Sequence, residues 1–371
     1  MRLSRLVPAS FIYIQGLSLL NPIYVLFSVL FIKNIKKPLF RPGQTLIFFM
    51  LLICQFLAIW MAPHQLPTSA IATVIGLFAF TVRPEELFSW DDTEDMRRSY
   101  RNVLALVMLA YLIDSLLRVQ YIQFNWSAWS DYEFKEWVKT NTWLADDTNT
   151  LGIRVILLYF IARSIGFMAS TPWLLKAFVF YLTLTSYSRA ALVVLLLVFA
   201  AEVAMRNMLH KKTYVLTILA FAAGLAFTLL PSMIEEADFD SSVISKLDLL
   251  LGSFGHWLSS DWWERLLGGG YYSNVDVGIA NWASGHSIAY YAMVDFGVLG
   301  SIFLGALIVG CAHTARARWL IAVYSLLGLA VFRFDFLFLY VTLFFVEYVA
   351  PSRSEISSLA STGIFKSRCA S

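Results

Sequence analysis

The sequence predicts an all-α, polytopic integral membrane protein with about 11 transmembrane helices and a large outer loop that carries short helices. Of its 371 residues, 59% are hydrophobic and 14% are charged, whereas soluble domains are roughly 45–50% apolar and about 25% charged. The apolar residues are gathered into repeated runs that approach the length of a membrane-spanning helix. We therefore expect 1–371 to form a single membrane domain.

The predicted spans follow the apolar runs in order. The runs cover 10–31, 45–61, 67–82, 102–117, 151–168, 172–187, 190–205, 213–230, 287–310, 319–333 and 336–350. Several are shorter than the roughly 20 residues that a crossing needs and must borrow flanking residues. The first run contains Asn21-Pro22, so it can be one kinked span or two half-spans.

Basic residues predict the orientation, because cytoplasmic loops of membrane proteins carry an excess of Lys and Arg. If the spans alternate, the basic groups between them and in the tail fall on one side: Lys33, Lys36, Lys37, Arg41, Arg206, Lys211, Lys212, Arg316, Arg318, Arg353, Lys366 and Arg368. That side is predicted to be cytoplasmic. Arg2 and Arg5 agree with this only if the first run folds as a hairpin.

Two loops then face outward, away from the cytoplasm. One covers 118–150 and contains Trp126, Trp129, Trp137 and Trp143, and the other covers 231–285. Inside the second loop, SDWWERLLGGGYY predicts a short helix. Ser260 or Asp261 can cap its start, and Gly268, Gly269 and Gly270 end it. Aromatic residues around it, such as Tyr272, suit either the headgroup level of a membrane or the face of a sugar ring.

Several classes of site are not indicated. Cys54, Cys311 and Cys369 lack the spacing of metal ligands, and no Walker A or Rossmann glycine pattern is present. A patch of basic and aromatic residues for nucleic acid is missing too. We therefore predict no metal site, no cofactor and no nucleic-acid partner.

His286 stands at the outward end of the ninth run, in GHSIAYYAMVDFGVLG. At about 100° per residue, a continuous helix would place Tyr290, Gly297 and Gly300 on the face of this histidine. Glycines on a helix face allow a neighbouring helix to approach closely. An imidazole near water suits a general base, although a lone histidine at a helix start more often only binds the adjoining loop.

Two arginines are predicted on the same outward side. Arg189 lies in the turn LTLTSYSRAALVVLL, and Arg265 lies on the short helix of the large outer loop. A guanidinium binds phosphate oxygens through two parallel hydrogen bonds, so a pair can hold a pyrophosphate. Alternatively, Arg189 reaches to lipid headgroups and Arg265 pairs with Asp261 or Glu264.

These motifs resemble those of the bacterial O-antigen polymerases and O-antigen ligases. The family signature is His, then Asn, Ser or Gln, nine residues, and Gly-x-x-Gly, which here is His286, Ser287, IAYYAMVDF and Gly297 to Gly300. TSYSRAAL resembles the Ser-Arg segment between two helices of that family, and RLLGGGYYS resembles its Arg and Gly-x-Gly element. DDTNTLG, with Asn149 and Gly152, is similar to the start of an earlier family helix.

The resemblance implies a metal-independent glycosyltransferase in the bacterial inner membrane, with its active site facing the periplasm. His286 would be the catalytic base, and Arg189 and Arg265 would bind the pyrophosphate, with Arg154, Tyr290 and Tyr272 as secondary site residues. The donor would be an oligosaccharide on undecaprenyl pyrophosphate. A polymerase would transfer the growing glycan to the non-reducing end of an incoming lipid-linked repeat unit, with a flippase and a chain-length regulator as partners.

Two other functions stay open at this point. The first is a ligase that transfers the glycan to lipid A-core; Val193 stands where the ligases have a Leu after the arginine. The second, from another class, is a transporter or flippase of lipid-linked sugars. The acceptor that the protein uses distinguishes a polymerase from a ligase. Formation of a glycosidic bond distinguishes both enzymes from a transporter.

Overall fold

The computed structural model describes residues 40–61, 68–83, 94–125, 148–207, 254–270, 291–330 and 336–349, with a few isolated residues between them. All regular structure in these ranges is helical, and the only bridge of β type among them pairs Phe40 with Val82. The all-α class is therefore confirmed for the described part of the chain. The predicted spans 10–31 and 213–230 lie outside it.

The first three described helices are α1 (Pro42–Met61), α2 (Thr68–Ala79) and α3 (Glu94–Phe124). Pro42 occupies the first position of α1, where its missing amide costs no hydrogen bond. The start of α1 and the end of α2 lie side by side, because the Arg41 amide donates to the Thr81 carbonyl over 2.8 Å. These two helices therefore run in opposite directions.

The next three helices are α4 (Thr148–Ser164), α5 (Pro172–Thr185) and α6 (Arg189–Asn207). Glu202 of α6 joins all three. Its carboxylate accepts a hydrogen bond of 2.8 Å from the Tyr159 hydroxyl of α4. It also forms an ion pair of 2.7 Å with Lys176 of α5. A partly buried carboxylate between hydrophobic helices needs such partners.

The last described helices are the short α7 (Trp262–Leu267), α8 (Gly297–Val309), α9 (Ala315–Ala330) and α10 (Phe336–Phe344). A π-helical turn, Tyr291–Asp295, precedes α8, and a second, Phe345–Val349, continues α10. Helix α8 packs along α1, and α9 packs against both α6 and α8.

Hydrogen bonds define two ends of this bundle. At the Arg41 end, Arg41 donates to the Tyr348 hydroxyl over 2.6 Å, and Tyr340 donates to the Val82 carbonyl over 3.1 Å. The Thr314 amide at the start of α9 donates to the Glu347 carboxylate over 2.7 Å. Helix α3 also begins here, since the rings of Tyr100 and Phe345 are 5.2 Å apart.

The opposite end, the Gly268 end, contains the described glycines of the predicted site and the turn that leads to Arg189. Gln55 of α1 donates to the Asp295 carbonyl over 3.1 Å, and Arg118 of α3 donates to the Thr185 carbonyl over 3.2 Å. Arg118 follows Tyr100 by five turns of helix, which separates the two ends by roughly 27 Å at about 1.5 Å per residue. The turns at 185–189, 268–270 and 294–297 thus share one end.

On two helices the exposed residues include a face of large apolar side chains, while several polar side chains are buried. On α1 the side chains of Leu46, Phe49, Ile53, Phe56 and Trp60 form one exposed face, while Gln44 and Gln55 are buried. On α3, Leu109, Ile113 and Leu116 are exposed, whereas Asp114, Ser115 and Arg118 are buried. Among the described helices, α1 and residues 97–124 of α3 are long and apolar enough to cross a membrane; four shorter helices are apolar.

Two boundaries differ from the prediction. Helix α3 begins at Glu94, inside the charged stretch before the fourth run, and it continues to Phe124, so the predicted outer loop 118–150 starts with helix. The ninth run is not one continuous helix from His286, because the π-helical turn and Phe296 interrupt it before α8 begins at Gly297.

Candidate functional site

The glycine segment after α7 forms backbone hydrogen bonds with the π-helical turn before α8. The Gly269 amide donates to the Val294 carbonyl over 2.7 Å, and the Gly270 amide donates to the Asp295 carbonyl over 3.1 Å. We call these two bonds the glycine junction. Gly268 ends α7 with a φ of +82°, as the sequence predicts, and Gly270 has a φ of +90°. Both values lie in the region that glycine adopts without steric cost.

Gly268 and Gly297 have to be glycine because each approaches the other's backbone. A Cβ atom on Gly268 would lie 2.5 Å from the Asp295 carbonyl carbon and 2.7 Å from the Gly297 nitrogen. A Cβ atom on Gly297, whose φ is +60°, would lie 2.8 Å from the Leu266 carbonyl. Real Cβ contacts are not this short, so the junction excludes every other residue at both positions.

Helix α1 completes the junction from a third side. The Gln55 side chain, which is 1% exposed, donates to the Asp295 carbonyl that Gly270 also uses. A Cβ atom on Gly300 would lie 3.5 Å from the Gln55 amide nitrogen and 3.0 Å from the Phe296 Cβ. The backbone around Asp295 is therefore held by hydrogen bonds from two separate elements.

This geometry corrects the predicted glycine stripe. The prediction assumed about 100° of rotation per residue from His286 onward, but residues 291–295 are π-helical and Gly297 has a positive φ. Gly297 faces the backbone at the end of α7 and Gly300 faces Gln55, so close approach is present at both glycines but not along one helix face. His286, Tyr290 and Tyr272 lie outside the described residues.

Arg265 lies on α7, four residues before Gly269, the first residue of the glycine junction. Its side chain is exposed, and within the described residues it forms no ion pair with Asp261 or Glu264. The Trp257 indole donates to its backbone carbonyl over 3.3 Å and helps to hold α7 in place. A guanidinium placed in this way is accessible to an anionic ligand from outside the bundle.

Arg189 is the first residue of α6, and its turn is closely constrained. The Ser188 side chain accepts a hydrogen bond of 3.3 Å from the Ala191 amide, which is the geometry of a helix N-cap. Tyr187, just before it, has a φ of +57°, which is unfavourable for a bulky residue unless neighbours enforce it. The Arg189 side chain lies outside the described part of the structure.

Helix α4 supplies one such neighbour. Gly152 lies against the turn so closely that a Cβ atom there would be 2.6 Å from the Ala191 Cβ and 3.0 Å from the Ser188 Cβ. The residue in the sequence DDTNTLG that resembles a family motif therefore packs against the turn that carries Arg189. Two motifs that the sequence analysis singled out separately form one packed unit.

Arg154 is buried in α4 and donates to the Leu144 carbonyl over 2.9 Å. This bond joins Leu144 to the start of α4. The role of Arg154 as a secondary site residue stays a prediction.

The predicted residues that the structure describes form two groups at one end of the bundle. Arg265, Gly268, Gly269, Gly270, Gly297 and Gly300 form one group, and Gly152 and the Arg189 turn form the other. Helix α9 packs against α6 of the second group and α8 of the first.

Sequence reasoning missed the role of Gln55 and underestimated Arg118. Gln55 is one of two glutamines in a strongly apolar helix, and a polar residue there signals an interior contact. Asp114 and Arg118 are four residues apart, which is the spacing of an ion pair on one helix face. Arg118 had been placed in the outer loop because the apolar run ended before it.

The chain matches no family model, no curated protein and no solved structure.

Proposed function

We propose that the chain is a polytopic membrane protein of about 11 spans whose described helices lie with their apolar faces in lipid. The distribution of polar and apolar residues supports this. Ile53 is 52% exposed and Trp60 is 73% exposed, while Gln55 between them is 1% exposed. A soluble protein would show the opposite arrangement, since polar groups inside a bilayer turn toward the protein interior.

Charge supports an orientation in which the Gly268 end faces outward. Arg41, Arg97, Arg98 and Arg101 lie at the Arg41 end, as do Arg316 and Arg318 at the start of α9. Such an excess of arginine is typical of a cytoplasmic surface. In a bacterial inner membrane, the candidate site would then face the periplasm.

The function that we propose is glycan polymerisation from a donor on undecaprenyl pyrophosphate. The observation that carries the proposal is the glycine junction, which ties the Arg265 segment to the segment that begins at His286. Family resemblance relates both segments to a single active site, although they are separated in sequence. The Gly268–Gly297 approach provides a physical reason for them to act together.

In the proposed reaction, His286 removes the proton from a hydroxyl at the non-reducing end of the incoming repeat unit. The hydroxyl oxygen then attacks the anomeric carbon of the donor glycan, and the bond from that carbon to the pyrophosphate oxygen breaks. Arg189 and Arg265 stabilise the negative charge that develops on the leaving pyrophosphate. These roles need no metal ion, and a flippase and a chain-length regulator would act before and beside the enzyme.

The test is glycan transfer by the purified protein with the lipid-linked repeat unit of the native host. We expect His286→Ala to reduce the rate of chain extension by at least about 100-fold, which is typical for loss of a general base. In cells, the glycan ladder should collapse to single repeats while the protein still inserts. His256→Ala is the matched control, since His256 lies in the same predicted loop and its imidazole is 3.4 Å from the Ser260 hydroxyl.

The other functions correspond to distinct outcomes of this test. Transfer only to lipid A-core would identify a ligase, and movement of the lipid-linked sugar across vesicles without a new glycosidic bond would identify a transporter. Equal extension by His286→Ala and the wild type would show that the general-base role is wrong.

A further inference from the structure

The Gly268 end contains a buried ion pair that the proposed reaction does not use. Arg118 and Asp114 of α3 are 5% and 4% exposed, and their side chains bond each other. A second nitrogen of the guanidinium donates to the Thr185 carbonyl over 3.2 Å. The third nitrogen, Nε, is buried without a partner among the described residues.

Such a pair is a costly way to join two helices. Removing both charges from water is expensive, and well-packed apolar residues of the same size often stabilise a protein as much or more. Burial alone therefore gives no reason for a guanidinium here. The hydrogen bond from Arg118 does give a reason, because it holds one defined backbone atom, the Thr185 carbonyl oxygen.

Thr185 is the last residue of α5, and its position sets the turn to Arg189. Ser115, also on α3, donates to the Thr185 hydroxyl over 2.6 Å, so two side chains of one helix hold this residue. The turn continues through Tyr187, with its positive φ, to the Ser188 cap and the start of α6.

We propose that the Asp114–Arg118 pair positions the turn that carries Arg189, so that Arg118 sets donor binding without touching the donor. Asp114 orients the guanidinium, and the guanidinium holds the Thr185 carbonyl. The proposal rests on the role proposed above for Arg189. It makes Arg118 a positioning residue, since its side chain is buried away from any ligand.

The test uses the purified full chain in lipid nanodiscs and undecaprenyl pyrophosphate without a sugar as the probe. We expect Arg118→Lys and Arg189→Lys each to raise the Kd for the probe about tenfold, because Lys loses the forked geometry of Arg. The double variant should bind no more weakly than the weaker single variant. The KM for the acceptor should not change in Arg118→Lys.

Arg163→Lys is the matched control. Arg163 lies at the other end of the bundle, 3.9 Å from Glu202, and the same exchange there should leave the Kd unchanged. Hydrogen exchange followed by mass spectrometry adds a readout that does not depend on activity. We expect faster exchange in the peptide covering 183–192 of Arg118→Lys, with other segments unchanged.

Unchanged Kd and unchanged exchange in Arg118→Lys would overturn the proposal. So would a double variant whose increase in Kd is the product of the increases in the two single variants. If Arg189→Lys binds like the wild type while Arg118→Lys loosens the turn, the donor role of Arg189 fails and the exchange result alone supports the link from Arg118 to the turn. Should Arg118→Lys not fold, Ser115→Ala tests the same link through Thr185, and unaltered exchange at 183–192 then counts against it.

Discussion

The Gly269 amide lies 2.7 Å from the Val294 carbonyl oxygen, and this hydrogen bond joins the glycine segment after α7 to the π-helical turn before α8. Neither partner uses a side chain. The contact instead depends on the neighbouring Gly268 and Gly297, which allow the two backbones to approach. A junction of this kind is sensitive to a single added methyl group.

Gly268→Ala is therefore expected to destabilise the protein strongly. The new Cβ would overlap the Asp295 backbone, and alanine disfavours the φ of +82°, so we expect a loss of about 2–5 kcal/mol. Thermal unfolding in detergent measures it. Gly305→Ala, on α8 with open space around it, is the control and should be neutral or slightly stabilising. Equal melting temperatures for the two variants would contradict the described junction.

Gly152→Ala tests the packing of α4 on the Arg189 turn. The added methyl group would lie 2.6 Å from the Ala191 Cβ, so the turn has to move by several tenths of an ångström. We expect glycan transfer to fall by about tenfold or more, since small displacements of positioning groups are costly to catalysis. Gly43→Ala, which meets nothing within 4 Å, should retain full activity. Full activity of Gly152→Ala would show that the packing of Gly152 does not affect the site.

Lysine substitutions on the exposed face of α1 test whether this face contacts the lipid bilayer. Ile53 lies near the middle of the helix, where a charge costs about 2.5–3.5 kcal/mol in membrane insertion. We expect Ile53→Lys to reduce the fraction that resists carbonate extraction. Trp60→Lys, near the helix end, should insert normally because a lysine there reaches the interface. If both variants insert as well as the wild type, this face does not contact lipid.

Apolar runs predicted the helices that are apolar along their whole length. Helices α1, α5 and α6 begin and end within a few residues of their runs. The run of apolar residues is shorter than helix α3. The first turns of the helix read EDMRRSYR and its last turns contain Arg118, and a pattern of apolar residues does not predict charged turns as part of a membrane helix. The pairing of Asp114 with Arg118 shows how that charge is accommodated.

The sequence predicts which glycines belong to the candidate site, but it does not predict how they contact each other. Gly268 and Gly297 were recognisable one by one, because three adjacent glycines and a Gly-x-x-Gly spacing are visible in the sequence. Their contact was not, since it forms between main-chain atoms that every residue has. The π-helical turn before α8 has no comparable sequence signal, and so the predicted stripe through His286 failed at Phe296.

The Glu347 carboxylate accepts the Thr314 amide at the start of α9, although the two residues are 33 positions apart in the chain. The first amides of a helix have no partner within that helix. The Thr314 hydroxyl caps the Ala317 amide at the start of α9 itself, over 3.2 Å. The Thr314 amide, in contrast, has its carboxylate partner only after the ribosome has added Glu347. The start of α9 is therefore completed late in synthesis, when the segment that follows α10 has been made and has packed against it.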